Sequence, residues 1–550
     1  MRRSLRAILI ITVTTVLALT AAPAARAEPA GRASSPPVPS LAWAPCGDGY
    51  PGAECTSATV PLDYDNPRAG TTQIALARIP AADQAHKVGS VFINPGGPGW
   101  SGVGMLLGVF GQFLASRLQG RFDVVGFDPR GVGGSEPLRC FDSQEDLAAF
   151  FAGQPIFPYL PAQYRPFFDR FGSYSDRCLD GRDRIAQHMS TADVARDLDL
   201  LRGAVGDPQL TYLGFSYGSY LGSTYASLFP KNVRALAIDG VVDPRLWSSG
   251  WQITAFGPAI QQEFNEFLRL CDQAGPDCAF AAPEGSAVRW EALATALRRQ
   301  PLPLPDGTAY SYDILINDAT TAMYRPEVWG RLGWLLDYLA DAVLGDRGAA
   351  ASASASAVTG IRQAIAQRLT PPAAQPDAAA GYDNSLDARI GNHCADVEYP
   401  HTFAAFRAID RYAAAGSRFG PLWWWQVGTA CAQWPVNPDR YTGPWRTTTA
   451  NPVLVVGNYF DGITPYTGAK ASAGLLTSSR LLSYAGWGHT AYGRSACVTG
   501  YINQYLLDRS LPAPGTVCPA NPNPFLPSPA RSAAASAPLS GAPPRWLPTP

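Results

Sequence analysis

The chain has 550 residues, 46% hydrophobic and 16% charged, with 43 Lys and Arg against 44 Asp and Glu. That much apolar material builds a sizeable core, and so even a charge offers no basic field to gather nucleic acid or anionic lipid. At roughly 100–200 residues per domain the length calls for two to four units or one domain with large insertions. Collagen, a coiled coil and a polytopic membrane protein are excluded.

Arg2, Arg3 and Arg6 precede the apolar run Ala7 to Thr20, and Ala25-Arg26-Ala27 follows. A basic end, a short apolar stretch and an Ala-x-Ala site predict a secretory signal peptide over 1–27. The run falls short of about 20 apolar residues, so no stable membrane anchor is expected. Cleavage would remove four arginines and no acid, leaving 39 basic against 44 acidic residues, a net charge of −5. A Pro/Ser/Ala-rich flexible leader is expected over 28–40, and a similar Pro/Ala-rich disordered tail over 519–550.

Short apolar runs then alternate with helical patterns. Val88 to Ile93, Phe122 to Phe127, Leu210 to Phe215, Val233 to Ile238, Pro452 to Val456 and Arg480 to Tyr484 predict buried strands. Ser190 or Thr191 caps a helix whose Val194, Leu198, Leu201 and Val205 share one face. Alternation of this kind implies a mostly parallel α/β sheet. The pattern stops after Ile238 and resumes at Pro452. The predicted organisation is a sheet core over 41–243 and 451–518, interrupted by a helical cap over 244–450. Within the cap, the Ala-Ser alternation at 349–357 is expected to be a mobile loop.

Three strand ends carry chemistry. Gly214-Phe215-Ser216-Tyr217-Gly218 follows the Leu210 strand and precedes the helix-compatible stretch Tyr220–Phe229. That strand–turn–helix context is what a nucleophile elbow needs, with Ser216 as nucleophile. A serine hydroxyl needs a base oriented by an acid. Asp461 follows the Pro452 strand and His489 follows the Arg480 strand, with Asp243 as the fallback acid. Of the five histidines, His86 and His188 are expected at the surface, and His393 and His401 in structural hydrogen bonds. Asn94-Pro95-Gly96-Gly97-Pro98-Gly99 follows the Val88 strand, and its glycines let backbone N–H groups face a developing oxyanion. Pro98 has no N–H, so Gly97 paired with the amide of Tyr217 is expected to form the oxyanion hole.

The ten cysteines lack Cys-x-x-Cys pairs and metal-ligand spacing. With export they predict disulfides. A nearest-neighbour scheme would join Cys46 to Cys55, Cys140 to Cys178, Cys271 to Cys278, Cys394 to Cys431 and Cys497 to Cys518. Sequence alone does not fix that connectivity.

Together, Asn94 to Gly102 (NPGGPGWSG), Asp123 to Ser135 (DVVGFDPRGVGGS), Gly214 to Gly218, Asp239 to Asp243 and the Asp461/His489 block resemble the tripeptidyl aminopeptidase branch of the α/β-hydrolases, related to prolyl aminopeptidases. Cys46, Cys55, Val60 to Tyr64 and Cys497 fit the same resemblance, which spans about 41–518. It implies a secreted α/β-hydrolase-fold serine exopeptidase with a Ser216–Asp461–His489 triad, cutting short fragments, often three residues, from a free N-terminus. Two departures stand at the site: Trp100 replaces the usual small residue, and the acid loop reads Asn458-Tyr459-Phe460-Asp461-Gly462 where Gly-Thr-x-Asp-Pro is more common.

An aminopeptidase must also bind a protonated amine, and Asp396 and Glu398 in Cys394-Ala395-Asp396-Val397-Glu398 are the candidates. Trp423, Trp424, Trp425 and Trp434 would line a cleft or, more commonly for clustered Trp, build a core. The expected enzyme is a monomer taking peptide or small ester substrates, with no nucleic acid partner, metal or organic cofactor. An esterase or lipase with the same triad is the nearest rival. A noncatalytic extracellular binding protein is the more distant one.

Overall fold

The computed structural model describes residues 36–181, 184–304, 306–345, 358–360, 362–363 and 381–526. The expected signal peptide, most of the leader, the Ala-Ser stretch and the tail beyond 526 lie outside these residues.

Among the described residues the main sheet has ten strands: β1 (Ala44–Pro45), β2 (Glu54–Pro61), β3 (Thr71–Ile79), β4 (Gly89–Asn94), β5 (Phe122–Phe127), β6 (Leu210–Phe215), β7 (Val233–Asp239), β8 (Leu454–Phe460), β9 (Arg480–Trp487) and β10 (Val517–Cys518). Their spatial order is β1-β2-β3-β5-β4-β6-β7-β8-β9-β10. The pairings from β1 to β3, and of β3 with β5, are antiparallel. From β5 to β10 every pairing is parallel. This is the α/β-hydrolase fold.

The central strands read as unbroken apolar runs because both of their faces are covered; β5 and β6 are buried along their whole length. Phe110, Leu114, Val498 and Ile502 pack on one face, and Val194, Leu198, Leu221 and Tyr225 on the other. Ser190 Oγ accepts the Asp193 N–H and caps the helix Thr191–Ala204, as its sequence predicts. The antiparallel β2–β3 pair was not among the expected strands. Its residues are only half-buried in alternation, so no apolar run marks it.

Between β7 and β8 the chain is mostly helical. The long helix Gln252–Ala274 is followed by Ser286–Arg299, Tyr312–Met323, Trp329–Leu344, Ser385–Asp396 and Phe403–Gly416. Residues 420–431 form a further helix whose middle, Trp424–Gly428, is π-helical. One aromatic core serves this layer, and it also takes in residues from before β6. The helices Gln144–Phe151 and Tyr164–Cys178, expected to belong to the sheet core, pack here instead. The Phe167 ring lies 5.8 Å from Trp425, and Phe168 lies 5.5 Å from Phe406. The physical reason is the aromatic stripe Phe167, Phe168 and Phe171, which is buried in this layer, Phe167 and Phe168 against the cap and Phe171 against Phe151.

All five disulfides follow the nearest-neighbour scheme. Residues 519–526, expected to belong to the tail, are packed on the fold instead: Phe525 lies on Phe267 at 5.4 Å and Asn523 donates to the Leu270 carbonyl. No helix among the described residues is long and apolar enough to cross a membrane.

Candidate active site

Parallel strands place their loops along one edge of the sheet, and ligands bind beyond the carboxyl ends, where the strand order reverses. Here β4 lies between β5 and β6, so the loop after β4 and the turn after β6 are neighbours. Ser216 sits in that turn at φ +57° and ψ −124°, a conformation a non-glycine residue holds only when its surroundings impose it. Glycine is required on both sides. A Cβ at Gly218 would stand 2.8 Å from the Asn94 carbonyl oxygen, and one at Gly214 would enter the Tyr212 ring. The turn is tied down by the Ser216 N–H, which donates to the Asp239 carbonyl at 3.0 Å.

The β4 loop presses directly on this elbow. Gly96, at φ +94°, has no room for a side chain, because a Cβ would lie 2.5 Å from the Phe215 carbonyl and 2.8 Å from Ser216 Cβ. Its N–H donates to Asn94 Oδ1 at 2.9 Å. Gly97 follows at φ +106°. Gly97, Ser216 and Tyr217 share one cavity with Trp100, Trp247, Tyr324, Arg389, His393, Trp423 and Thr464. Its volume is about 30 Å³. That is space for roughly two or three waters.

Asp461 and His489 lie beyond the adjacent strands β8 and β9, and they meet. His489 Nδ1 is 3.0 Å from Asp461 Oδ2, with both residues buried. Asp461 also accepts the N–H groups of Ile463 and Thr464 at 2.9 and 2.7 Å and the Thr464 hydroxyl at 2.8 Å. Such a donor set fixes both carboxylate oxygens in place. The Tyr324 ring meets the imidazole edge-on at 5.3 Å, and Thr464 Oγ1 lies 3.1 Å from Nδ1. Both residues line the cavity with Ser216, so two side chains that touch the imidazole reach the serine's space, while His489 and Asp461 lie buried behind them. His489 Nε2 is buried and has no hydrogen-bond partner among the described residues.

Asp243, the fallback acid, is drawn elsewhere by a 2.8 Å ion pair with Arg245. His393 bonds Tyr399 at 3.0 Å, and burial pushes its pKa down to about 3, Arg389 adding to the effect, so it is neutral at ordinary pH. His401 Nδ1 pairs with the Ala432 carbonyl, His86 is exposed, and His188 is half-buried beside Asp63 and Asp439. Trp423 lines the cavity and stacks on Arg389, whose guanidinium carbon is 4.6 Å from the ring, while Trp425 and Trp434 are core. Burial holds the Arg389 pKa well below its usual value.

The two acids expected to bind an amine part company. Asp396 is buried and receives the Thr191 N–H at 2.7 Å and the Thr191 hydroxyl at 2.5 Å. Its pKa is pushed up to about 7, chiefly by burial. It does not line the cavity at Ser216, so that expectation is corrected: this carboxylate is a strut between the cap and the Thr191 helix. Glu398 is exposed, pairs with Arg440 at 2.7 Å and lines a second, open cavity of about 650 Å³ with Arg245, Trp251, Tyr399 and Trp445. Trp247 and His393 line the first cavity and Tyr399 the second, and the His393 ring contacts both of the other two.

Sequence reasoning missed Thr464, Arg389, Tyr324 and a buried cap carboxylate, Glu263. Only Glu263 carried a usable signal. It stands on the apolar stripe of Ile260, Phe264 and Phe267 in the helix Gln252–Ala274, where a charge is out of place.

Residues 89–268 match the alpha/beta hydrolase fold family, and residues 415–518 match the TAP-like protein family. The chain is 33% identical over 498 residues to the Serine protease Hip1 of Mycobacterium tuberculosis, covering 86% of this chain and 90% of that protein. It is 29% identical over 486 residues to the Tripeptidyl aminopeptidase of Streptomyces coelicolor, covering 86% and 84%. To the Carboxylesterase B of Mycobacterium tuberculosis it is 32% identical over 475 residues, covering 85% and 86%.

Proposed function

Because the chain belongs to the TAP-like branch of the α/β-hydrolases and is a serine peptidase-type hydrolase, we propose that Ser216, His489 and Asp461 are its nucleophile, general base and orienting acid. The substrate class is short peptides with a free N-terminus, from which the enzyme releases tripeptide-type fragments. The observation that carries this reading is the buried Asp461–His489 pair, held by Thr464 and Tyr324, two residues that line the same cavity as a serine at φ +57°.

In the mechanism, His489 Nε2 takes the Ser216 proton as Oγ attacks the scissile carbonyl. Asp461, fixed by four donors besides the imidazole, holds Nδ1–H and stabilises the imidazolium. The amides of Gly97 and Tyr217 receive the oxyanion. The imidazolium returns its proton to the leaving amine. Water, activated by His489, then hydrolyses the acyl-enzyme. Glu398 is the carboxylate for the peptide's ammonium group, reached through the open cavity. Five disulfides support export to an oxidising compartment.

One observation favours an esterase as the second reading. The residues lining the Ser216 cavity are mostly apolar and include no carboxylate, and a neutral ester needs none. A panel of chromogenic peptides with free or blocked N-termini, run beside short-chain esters, separates the two. Free peptides are expected to be cleaved and blocked ones spared. Equal cleavage of both removes the exopeptidase claim, and faster ester turnover transfers the site to the second reading. Ser216→Ala is expected to lower kcat about 10⁴-fold or more.

A further inference from the structure

Glu263 belongs to the cap, yet both of its carboxylate oxygens are spent on the sheet's loops. Oε2 accepts the N–H of Gly462, the residue after Asp461, at 2.8 Å. Oε1 accepts the N–H of Gly488, the residue before His489, at 2.9 Å. Side chain and backbone are wholly buried. One turn further along the same helix, Glu266 Oε1 accepts the Trp487 indole N–H at 3.1 Å. The helix thus holds both loops at the residues adjoining the acid and the base.

The glycines fit this contact and little else would. A Cβ at Gly462 would stand 2.8 Å from both Glu263 Oε2 and Ile260 Cα. A proline at 462 would lack the N–H altogether. Gly488 is at φ +89°, and a Cβ there would meet Pro326 and Arg494. The Gly488 N–H is shared with the Phe460 carbonyl at 3.0 Å, so Glu263 is the more important acceptor for Gly462. Burying a carboxylate beside Asp461 is unfavourable in itself. Burial and the Asp461 charge push its pKa well up, while the two N–H donors and Arg494 oppose the shift. A group kept at such a cost is one whose position matters.

We infer that Glu263 is a positioning residue, a cap-borne clamp that sets the distance between Asp461 and His489 by holding Gly462 and Gly488 on one carboxylate. The inference rests on the triad reading above. It assigns the cap a part in catalysis beyond covering the site: the acid–base pair is assembled fully only while the helix Gln252–Ala274 is seated.

Glu263→Gln tests it, because an amide keeps the volume but must turn its NH2 toward one of the two N–H donors. Rates are counted per active serine, titrated with a fluorophosphonate that labels Ser216. Misplacing the pair should lower kcat per labelled site by about 10–100-fold, with KM near wild type because Glu263 does not line the cavity. The low-field proton resonance of the His489–Asp461 hydrogen bond should move as well. A purely structural role would reduce the number of titrated sites and leave kcat per site unchanged, and that result overturns the inference. Should the variant fail to fold, hydrogen exchange on the wild-type protein decides. Slow exchange at Gly462 and Gly488 supports the clamp, and exchange as fast as an open loop overturns it. Ser216→Ala run in parallel keeps the two readings apart. If it still turns over, the triad assignment fails; if it is inactive while Glu263→Gln is normal, only the clamp fails.

Discussion

Two carboxylates grip the segment that carries His489, one from the sheet and one from the cap. Asp239, the last residue of β7, accepts the Tyr492 N–H at 2.7 Å and that of Ala491 at 2.9 Å. Glu263 accepts Gly488 from the other side of the imidazole. Both are buried, and burial pushes Asp239 up to about 6. Their footing differs. Asp239 continues a strand paired on both flanks, so its position follows from the ladder. Glu263 reaches the loops only through packing of a helix against them. The sheet therefore fixes its side of the site by chain continuity, while the cap contributes through contacts that can be lost with the sheet intact.

The largest expected effect lies on the sheet side. Gly96→Ala drives a Cβ into the Phe215 carbonyl and Ser216 Cβ, displacing the oxyanion loop from the elbow. A loss of roughly 10²–10³-fold in kcat is expected, as for removal of an oxyanion donor, with the cap undisturbed. Wild-type rates on the chromogenic peptides would mean the loop does not press on the elbow in solution.

Asp239→Asn comes next and sharpens the contrast with Glu263. Oδ2 accepts both N–H groups, so an amide oxygen placed there keeps them, but its NH2 then faces the Ala491 N–H from the Oδ1 position, 3.1 Å away, in a buried site. A stability loss of about 1–3 kcal/mol by urea titration is expected. An unchanged midpoint would show that this side of the loop needs no anchor.

The smallest effect concerns the cap strut. Asp396 has a folded pKa of about 7, above the ordinary value near 3.9 expected when unfolded. The folded state therefore binds the extra proton, and this contribution is complete below about pH 4 and lost as pH rises through 7. Its slope is at most about 1.4 kcal/mol per pH unit. Asp396→Asn cannot titrate, so its stability should fall less between pH 5 and pH 7.5 than that of the wild type. Equal slopes in urea melts at the two pH values would rule the strut's titration out.

The same contrast explains what the sequence disclosed. Ser216, Asp461 and His489 were legible because each follows a buried apolar strand, and strand ends of a parallel sheet converge. Observed β6 coincides with its expected span, and β5 does too. The cap was legible only as helical. That the helices at 144–178 join it depends on which aromatic face finds a partner, a matter of tertiary packing with no local period to announce it. Asp396 misled for the same reason. With Glu398 two residues on, it was expected to face the cleft and bind an amine, while the fold turned it onto Thr191, 205 positions away. Thr464 and Arg389 carry side chains common in any helix or turn, so nothing in the string set them apart.

The cavity of about 30 Å³ around Ser216 has a kinetic meaning. A space that admits two or three waters admits no peptide, so substrate reaches Ser216 only in the population of molecules whose lining side chains, Trp100, Trp247 and Trp423 among them, have moved aside. If that population is a fraction f, the apparent dissociation constant is the intrinsic one divided by f. Affinity in this enzyme is then as much a property of how that lining packs, Trp247 on His393 and Trp423 on Phe256, as of the groups that touch substrate. Loosening that packing should tighten apparent binding, read as a lower KM on the chromogenic peptides.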